Sequence, residues 1–242
     1  MAETNQDPAS VSQILTQAEN RPRFEIIDLS PEAKAEAARR AEDERQRNIY
    51  HRWEVLKKRI GERYARCKLE TFDVTNEAQR AVVEAVKAYC DSIADRIGEG
   101  GNVVLIGPKG TGKDHLLTCL MKAALKAGKT VQFWSGVDLW SSLRDAISTD
   151  TPEREWIKQS LEPDVFAISD PLPPIGSLTD FQTSNFFRLV DARYRAMKPV
   201  WITTNSGGKD ADTRAGSQTM DRIRDGATIF ETKWDSYRKA AK

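Results

Sequence analysis

Apolar residues follow two patterns along this chain. From residue 103 onward, short continuous runs such as Val103–Ile106, Val165–Ile168 and Val200–Ile202 alternate with longer stretches whose apolar positions recur every three or four residues. Short apolar runs bounded by Gly, Pro and Asp read as strands buried on both faces, and the stretches between them read as amphipathic helices. The pattern predicts strands at Val103–Ile106, Thr130–Trp134, Asp164–Ser169, Val200–Thr203 and Thr228–Lys233. It places helices from Lys113 to about Lys126, around Val137–Ile147, near Glu153–Leu161, over about Asp180–Met197 and near Thr219–Arg224. Apolar strands separated by helices predict an α/β fold with a mainly parallel sheet that binds ligands at its strand carboxyl ends.

Upstream the pattern changes. Residues 1 to about 29 are polar and weakly patterned, and are expected to be mobile. Ser30-Pro31-Glu32 supplies an N-cap, a Pro at the first helical position and an acidic first turn. In the charged, Ala-rich helix that follows, Ile49, Trp53, Leu56, Ile60 and Tyr64 form one stripe. Two readings of this stripe are open: packing on the chain's own α/β domain, or a docking surface for a partner or coiled coil. After a connector at Lys68–Thr75, Asn76 and Gln79 have the spacing of a capping box. They open a helix whose buried face is Val82, Val86, Cys90, Ile93 and Ile97 and which ends at Gly98–Gly101. The division expected is a mobile N-terminus and helical docking region over 1–66, then one α/β domain over 67–242.

The chemistry concentrates at the strand ends. Gly107-Pro108-Lys109-Gly110-Thr111-Gly112-Lys113-Asp114 joins a predicted strand to a helix start, the setting of a phosphate-binding P-loop. Successive amides in such a loop make a concave anion site, and the positive end of the helix adds to it. Gly107, Gly110 and Gly112 leave room for phosphate oxygens, and Lys113 reaches the β- and γ-phosphates. Asp114 stands where a Ser or Thr hydroxyl usually meets Mg²⁺. A second strand ends at Asp170, the position of a metal-holding acid in P-loop ATPases. The next residue, Pro171, stands where many such enzymes carry a water-orienting Glu, so either another acid such as Asp180 substitutes or hydrolysis is slow. Asn205, after the third strand, can bond a γ-phosphate or the lytic water. Arg222, Arg224 and Arg238 near the C-terminus suit multidentate phosphate contacts. No Ser/His/Asp or metal-ligand cluster is evident.

Composition narrows the picture. The 242 residues are 30% charged and 39% hydrophobic with a net charge of +1, enough for a buried core. That net charge gives no global attraction to nucleic acid, so any such contact is a local patch. Cys67, Cys90 and Cys119 are too dispersed for a zinc site or disulfide framework and fit a reducing cytoplasm. No run is long enough to cross a membrane, and the N-terminus lacks a signal-peptide core. A cytoplasmic protein is expected.

Gly110–Leu116, GTGKDHL, resembles the P-loop of DnaC-type helicase loaders and of the related IstB-type transposition helpers, both AAA+ ATPases. The resemblance runs through Arg63–Val74, the Asp170 strand, Phe186–Asn205 and Asp221–Arg238, about residues 60 to 240. The closing DRIR and WDSYR segments point to the DnaC-like branch. The resemblance implies an AAA+ fold, a five-stranded mainly parallel sheet between helices with a helical N-terminal region, and ATP with Mg²⁺ as cofactors. It makes Lys113 the phosphate lysine, Asp170 with Asp114 the metal ligands, Asn205 sensor 1, Arg222 an arginine finger for a neighbouring subunit and Arg238 sensor 2. The implied function is ATP-dependent loading of a replicative hexameric helicase onto single-stranded DNA. The helicase would be bound through the N-terminal region, and the loader would self-associate head-to-tail through its ATP sites. Trp140 and Arg144 are weak candidates for the DNA contact. Two rivals stand beside this reading: an IstB-type helper that binds duplex DNA, and a non-hydrolysing, nucleotide-gated helicase-binding protein.

Overall fold

The computed structural model describes residues 30–148 and 153–238, so the expectation for residues 1–29 lies outside it. The chain divides into two compact units, Met1–Glu44 and Arg45–Lys242. In the first, the described residues open helix α1 (Pro31–Ala65). The amide of Ala33 donates to Ser30 Oγ at 3.3 Å, as the N-cap reading requires.

The second unit is built on five parallel strands: β1 (Val103–Ile106), β2 (Val131–Ser135), β3 (Val165–Ser169), β4 (Val200–Thr204) and β5 (Thr228–Glu231). Their order is β2-β3-β4-β1-β5, with β1 paired to β4 and β5. α2 (Glu77–Asp91) and α3 (Ile93–Gly98) precede β1, and between the strands run α4 (Lys113–Lys126), α5 (Gly136–Ser148), α6 (Glu153–Ser160), α7 (Asp180–Arg195), α8 (Gly208–Ala215) and α9 (Ser217–Arg224). The predicted single helix from Asn76 breaks at Ser92, and α8 was not foreseen, because KDADTRA carries little apolar signal. The Asn76–Gln79 capping box is present, with 3.0 Å bonds in both directions.

Alternate strand residues face opposite sides. Val103, Leu105, Val165, Ala167, Trp201 and Phe230 join one core cluster, while Val104, Phe166, Ile168, Val200 and Ile202 join a second. The first cluster also takes in Leu56 and Ile60 of α1, which are 2% and 6% exposed. Lys122 Nζ lies 4.7 Å over the Trp53 ring and donates to the carbonyls of Ala65 and Cys67. From Trp53 to Tyr64 the stripe on α1 is therefore covered by its own α/β unit. The compact unit that holds this core begins at Arg45. Leu56→Ala is expected to lower unfolding stability by about 2–4 kcal/mol, because it opens a cavity in this core. Urea titration measures this, and an unchanged midpoint would mean that α1 is not part of the cooperative unit.

Candidate functional site

The carboxyl ends of β1, β3 and β4 come together at one side of the sheet. The turn after β1 leads into α4 through Gly112, whose φ of 91° puts it in the left-handed region. A Cβ there would come within 2.7 Å of the Phe72 ring. A Cβ on Gly110 (φ 80°) would sit 2.0 Å from Ser236 Oγ, so the loop can carry a side chain at neither position. Thr111 is fully buried and is used internally: its Oγ1 donates to Pro108 O and meets Thr232 Oγ1 at 2.7 Å. Residues 232–238 back the loop, with Tyr237 N donating to Gly110 O and Trp234 Nε1 to Thr111 O.

Over this loop lies an open cleft of about 390 Å³. Lys109, Gly110, Gly112, Lys113, Asp114, Asp170, Asn205 and Arg238 all line it. Gly107, Pro108 and Thr111 do not; they shape the loop from within.

Lys113 Nζ donates to Gly107 O (2.9 Å), Pro108 O (2.8 Å) and Asn205 Oδ1 (2.8 Å). Burial holds its pKa below the usual lysine value, against the opposing pull of Asp170 and Asp114. Asn205 is a bridge, because its Nδ2 donates to Asp170 Oδ1 at 3.1 Å. Asp170 has a positive φ of 46°, uncommon for a residue with a side chain. Its amide is held by Thr203 through both Oγ1 (3.1 Å) and the carbonyl (3.2 Å). Burial, and after it the charge of Asp114, raises the Asp170 carboxyl above the usual aspartate range. Asp114 Oδ1 accepts from Ser169 Oγ (2.7 Å) and Thr203 Oγ1 (3.2 Å).

Two carboxylates of β3 and α4 thus share one corner of the cleft beside an ammonium. Hard oxygen donors of this kind fit a small divalent cation that completes its shell with water and phosphate. Among the described residues no group of three or more His, Cys, Asp or Glu could hold a metal, so this corner does not form an all-protein cage.

Arg222 does not line the cleft. It sits on α9 in a groove with Tyr194, Asp221, Arg224 and Asp225. Asp180 also lies outside the cleft lining, at the exposed start of α7. Pro171 gives its carbonyl to Trp140 Nε1 at 2.9 Å, and the Trp140 ring packs edge-on against Phe186. Trp140 is 8% exposed, so it is a core residue and unavailable for stacking on a base, whereas Arg144 is exposed.

Sequence reasoning missed Arg214, a third arginine-bearing position on the cleft beside Arg63 and Arg238. Its guanidinium is tied to Ser206 Oγ (2.6 Å), Gly176 O (2.7 Å) and Pro173 O. The polar stretch that carries it gives no periodic signal.

The model of the IstB-like ATP binding protein family matches residues 37–242. The replicative helicase loader DnaC of Escherichia coli (strain K12) is 26% identical over 176 residues, which is 71% of this chain and 69% of the relative. The uncharacterized protein YdaV of the same strain is 27% identical over 210 residues, 84% and 82% of the two chains. A crystal structure of the DnaC helicase loader superposes with a TM-score of 0.63 at 22% identity, covering 71% of this chain and 99% of that one. The sheet order, the Lys113 loop and the Asp170 strand end are those of an AAA+ P-loop fold, and the chain belongs to the IstB-like ATP-binding protein family.

Proposed function

We propose that this protein is an ATP-dependent loader of a replicative hexameric helicase onto single-stranded DNA. The observation that carries the reading is the convergence of Lys113, Asp114, Asp170, Asn205 and Arg238 on one cleft over the loop. The relatives named as helicase loaders supply the direction. ATP binds with its phosphates on the loop amides and Lys113. Asp170 and Asp114 would hold Mg²⁺, which when bound would supply neutralisation of phosphate charge. Asn205 holds the γ-phosphate or the attacking water. Its bonds to the Lys113 ammonium and the Asp170 carboxylate support that role. Arg238 contacts the nucleotide in cis. Arg222, outside its own cleft, serves the site of a neighbouring protomer, so nucleotide promotes a head-to-tail contact. Hydrolysis then times release of helicase and DNA in the cytoplasm. The N-terminal unit up to Glu44 is the helicase-docking segment in this reading.

Two expected results follow. Arg222→Ala leaves nucleotide binding intact but lowers assembly-dependent turnover on the order of 10³-fold or more; unchanged turnover excludes a finger role. Asp170→Asn relieves the crowding of two carboxylates, so the thermal midpoint of the nucleotide-free chain rises while Mg²⁺-dependent turnover is lost. A lowered midpoint would contradict the crowding.

The function itself is tested by ATP turnover and by delivery of the cognate hexameric helicase to circular single-stranded DNA. Stronger stimulation by duplex DNA, with no helicase delivery, would favour the transposition-helper reading. A second reading has its own support: Asp114 and Asp170 are the only acids among the residues lining the cleft, and Pro171 follows Asp170. On that reading the protein binds ATP and the helicase without hydrolysis. Confirmed ATP binding with no turnover in the presence of DNA and helicase would establish it.

A further inference from the structure

Arg222 of α9 is held between two residues of α7. Its Nε forms an ion pair with Asp191 Oδ1 of α7 at 3.0 Å, and its guanidinium lies 4.6 Å over the ring of Phe187, one turn before Asp191 on α7. The other oxygen of Asp191 is also used, since Oδ2 pairs with Arg195 at 2.9 Å. The carboxylate thus separates two guanidinium groups that would otherwise repel. Nη1 of Arg222 reaches only Gln218 O at 3.5 Å, and Nη2 has no acceptor among the described residues. The side chain is 30% exposed. The guanidinium is therefore fixed at its inner edge and beneath its plane, while its outer edge stays available.

That arrangement suits a group that must meet an anion on another molecule. Nε is the nitrogen a finger can give up to a holder, because the two terminal nitrogens form the fork that grips phosphate oxygens. A long, flexible side chain loses rotamer freedom when it docks. A carboxylate and an aromatic face that impose one orientation beforehand remove much of that cost.

We infer that Asp191, with Phe187 beneath it, is a positioning residue that presents Arg222 to the nucleotide of a neighbouring protomer. The inference rests on the trans role proposed for Arg222 and adds the element that aims it. The carboxylate does not enter the neighbour's site.

The test is kinetic and uses mixed subunits of the full chain. Asp191→Asn is assayed for ATP turnover with single-stranded DNA, then mixed in equal amounts with Lys113→Ala. The Lys113→Ala chain cannot turn over ATP but has an intact finger. Asp191→Asn alone should lose on the order of 10- to 100-fold in kcat, the scale of a misaimed group, with KM for ATP unchanged. The mixture should recover turnover, because sound fingers then reach the sound sites of the Asp191→Asn chains. Asp191→Glu, which keeps a carboxylate, should recover much of the loss. Self-association with a non-hydrolysable ATP analogue gives a second readout, in which Asp191→Asn should need a higher protein concentration than the parent. Unchanged or raised turnover in Asp191→Asn, or a loss that the mixture does not recover, overturns the inference. If Arg222→Ala is impaired and recovered by mixing while Asp191→Asn behaves as the parent, only the positioning role falls. An unimpaired Arg222→Ala, or a parent chain with neither turnover nor nucleotide-dependent association, refutes the trans reading and this inference with it.

Discussion

Lys113→Ala is expected to abolish ATP turnover and to weaken nucleotide binding by roughly one to two orders of magnitude. A hydrogen bond to a charged group contributes about 1.5–3 kcal/mol, and every 1.4 kcal/mol is tenfold in affinity. The present partners of the ammonium explain why one residue carries so much. It is bound to Gly107 O and Pro108 O inside the loop and to Asn205 Oδ1 on the cleft. An incoming phosphate exchanges neutral carbonyl partners for a charged one, in a buried setting where charge interactions are strong. Burial already lowers the lysine's pKa, so the site favours any anion that compensates the ammonium. Lys113→Arg should not rescue, because a planar fork does not replace a point charge in a loop shaped around one. Fluorescent-nucleotide titration and phosphate release measure the two effects. Parent-like affinity in Lys113→Ala would remove the loop from the nucleotide site.

Arg193→Met should be the most damaging substitution for stability, about 3–5 kcal/mol by urea unfolding. Arg193 is fully buried. Its guanidinium donates to the carbonyls of Ser160, Pro163, Asp164 (2.8 Å) and Pro199 (3.0 Å), and sits 5.6 Å over the Phe166 ring. One side chain thus supplies the end of α6 and the entry to β3 with donors they lack, and adds to the donor that Phe166 N already gives Pro199 O. A thioether of similar length fills the space but leaves the Ser160, Pro163 and Asp164 carbonyls without the donor they now have, and unpaired buried polar groups are costly. Arg193→Lys should recover little, since three donors on a single nitrogen cannot span the same set of carbonyls. Burial pulls the guanidinium down to about 9, which still leaves it charged at neutral pH. Wild-type stability in Arg193→Met would show that these carbonyls find other partners.

Arg193 also marks where sequence reading runs out. In FFRLVDARYR it looks like any charged residue on a helix, and nothing in its spacing separates it from Arg195, which is largely exposed. The same holds for Arg214, whose place on the cleft depends on the loop Pro173–Gly176 folding against α8. The α1 stripe is a subtler case. Its period showed that one face is apolar, but period does not say what covers that face. The answer came from Leu56 and Ile60 sharing a core with α4 and the sheet. Trp140 is similar, since an indole on a helix serves equally to fill a core or to stack on a base. Here Pro171 O takes its N–H.

By itself the sequence determined what is local. Apolar runs separated by helical periods fixed five strands and most of their helices. The Asn76–Gln79 spacing fixed a cap. The glycine spacing of residues 107–114 fixed the tight loop between β1 and α4, because each of these features is decided by residues within one turn of one another. The tertiary structure decided what depends on distant segments meeting: the strand order β2-β3-β4-β1-β5, the convergence of Lys113, Asp170 and Asn205, and the bracket of Asp191 and Phe187 around Arg222. Those groups come from different elements, and only packing on a common sheet brings them within bonding distance.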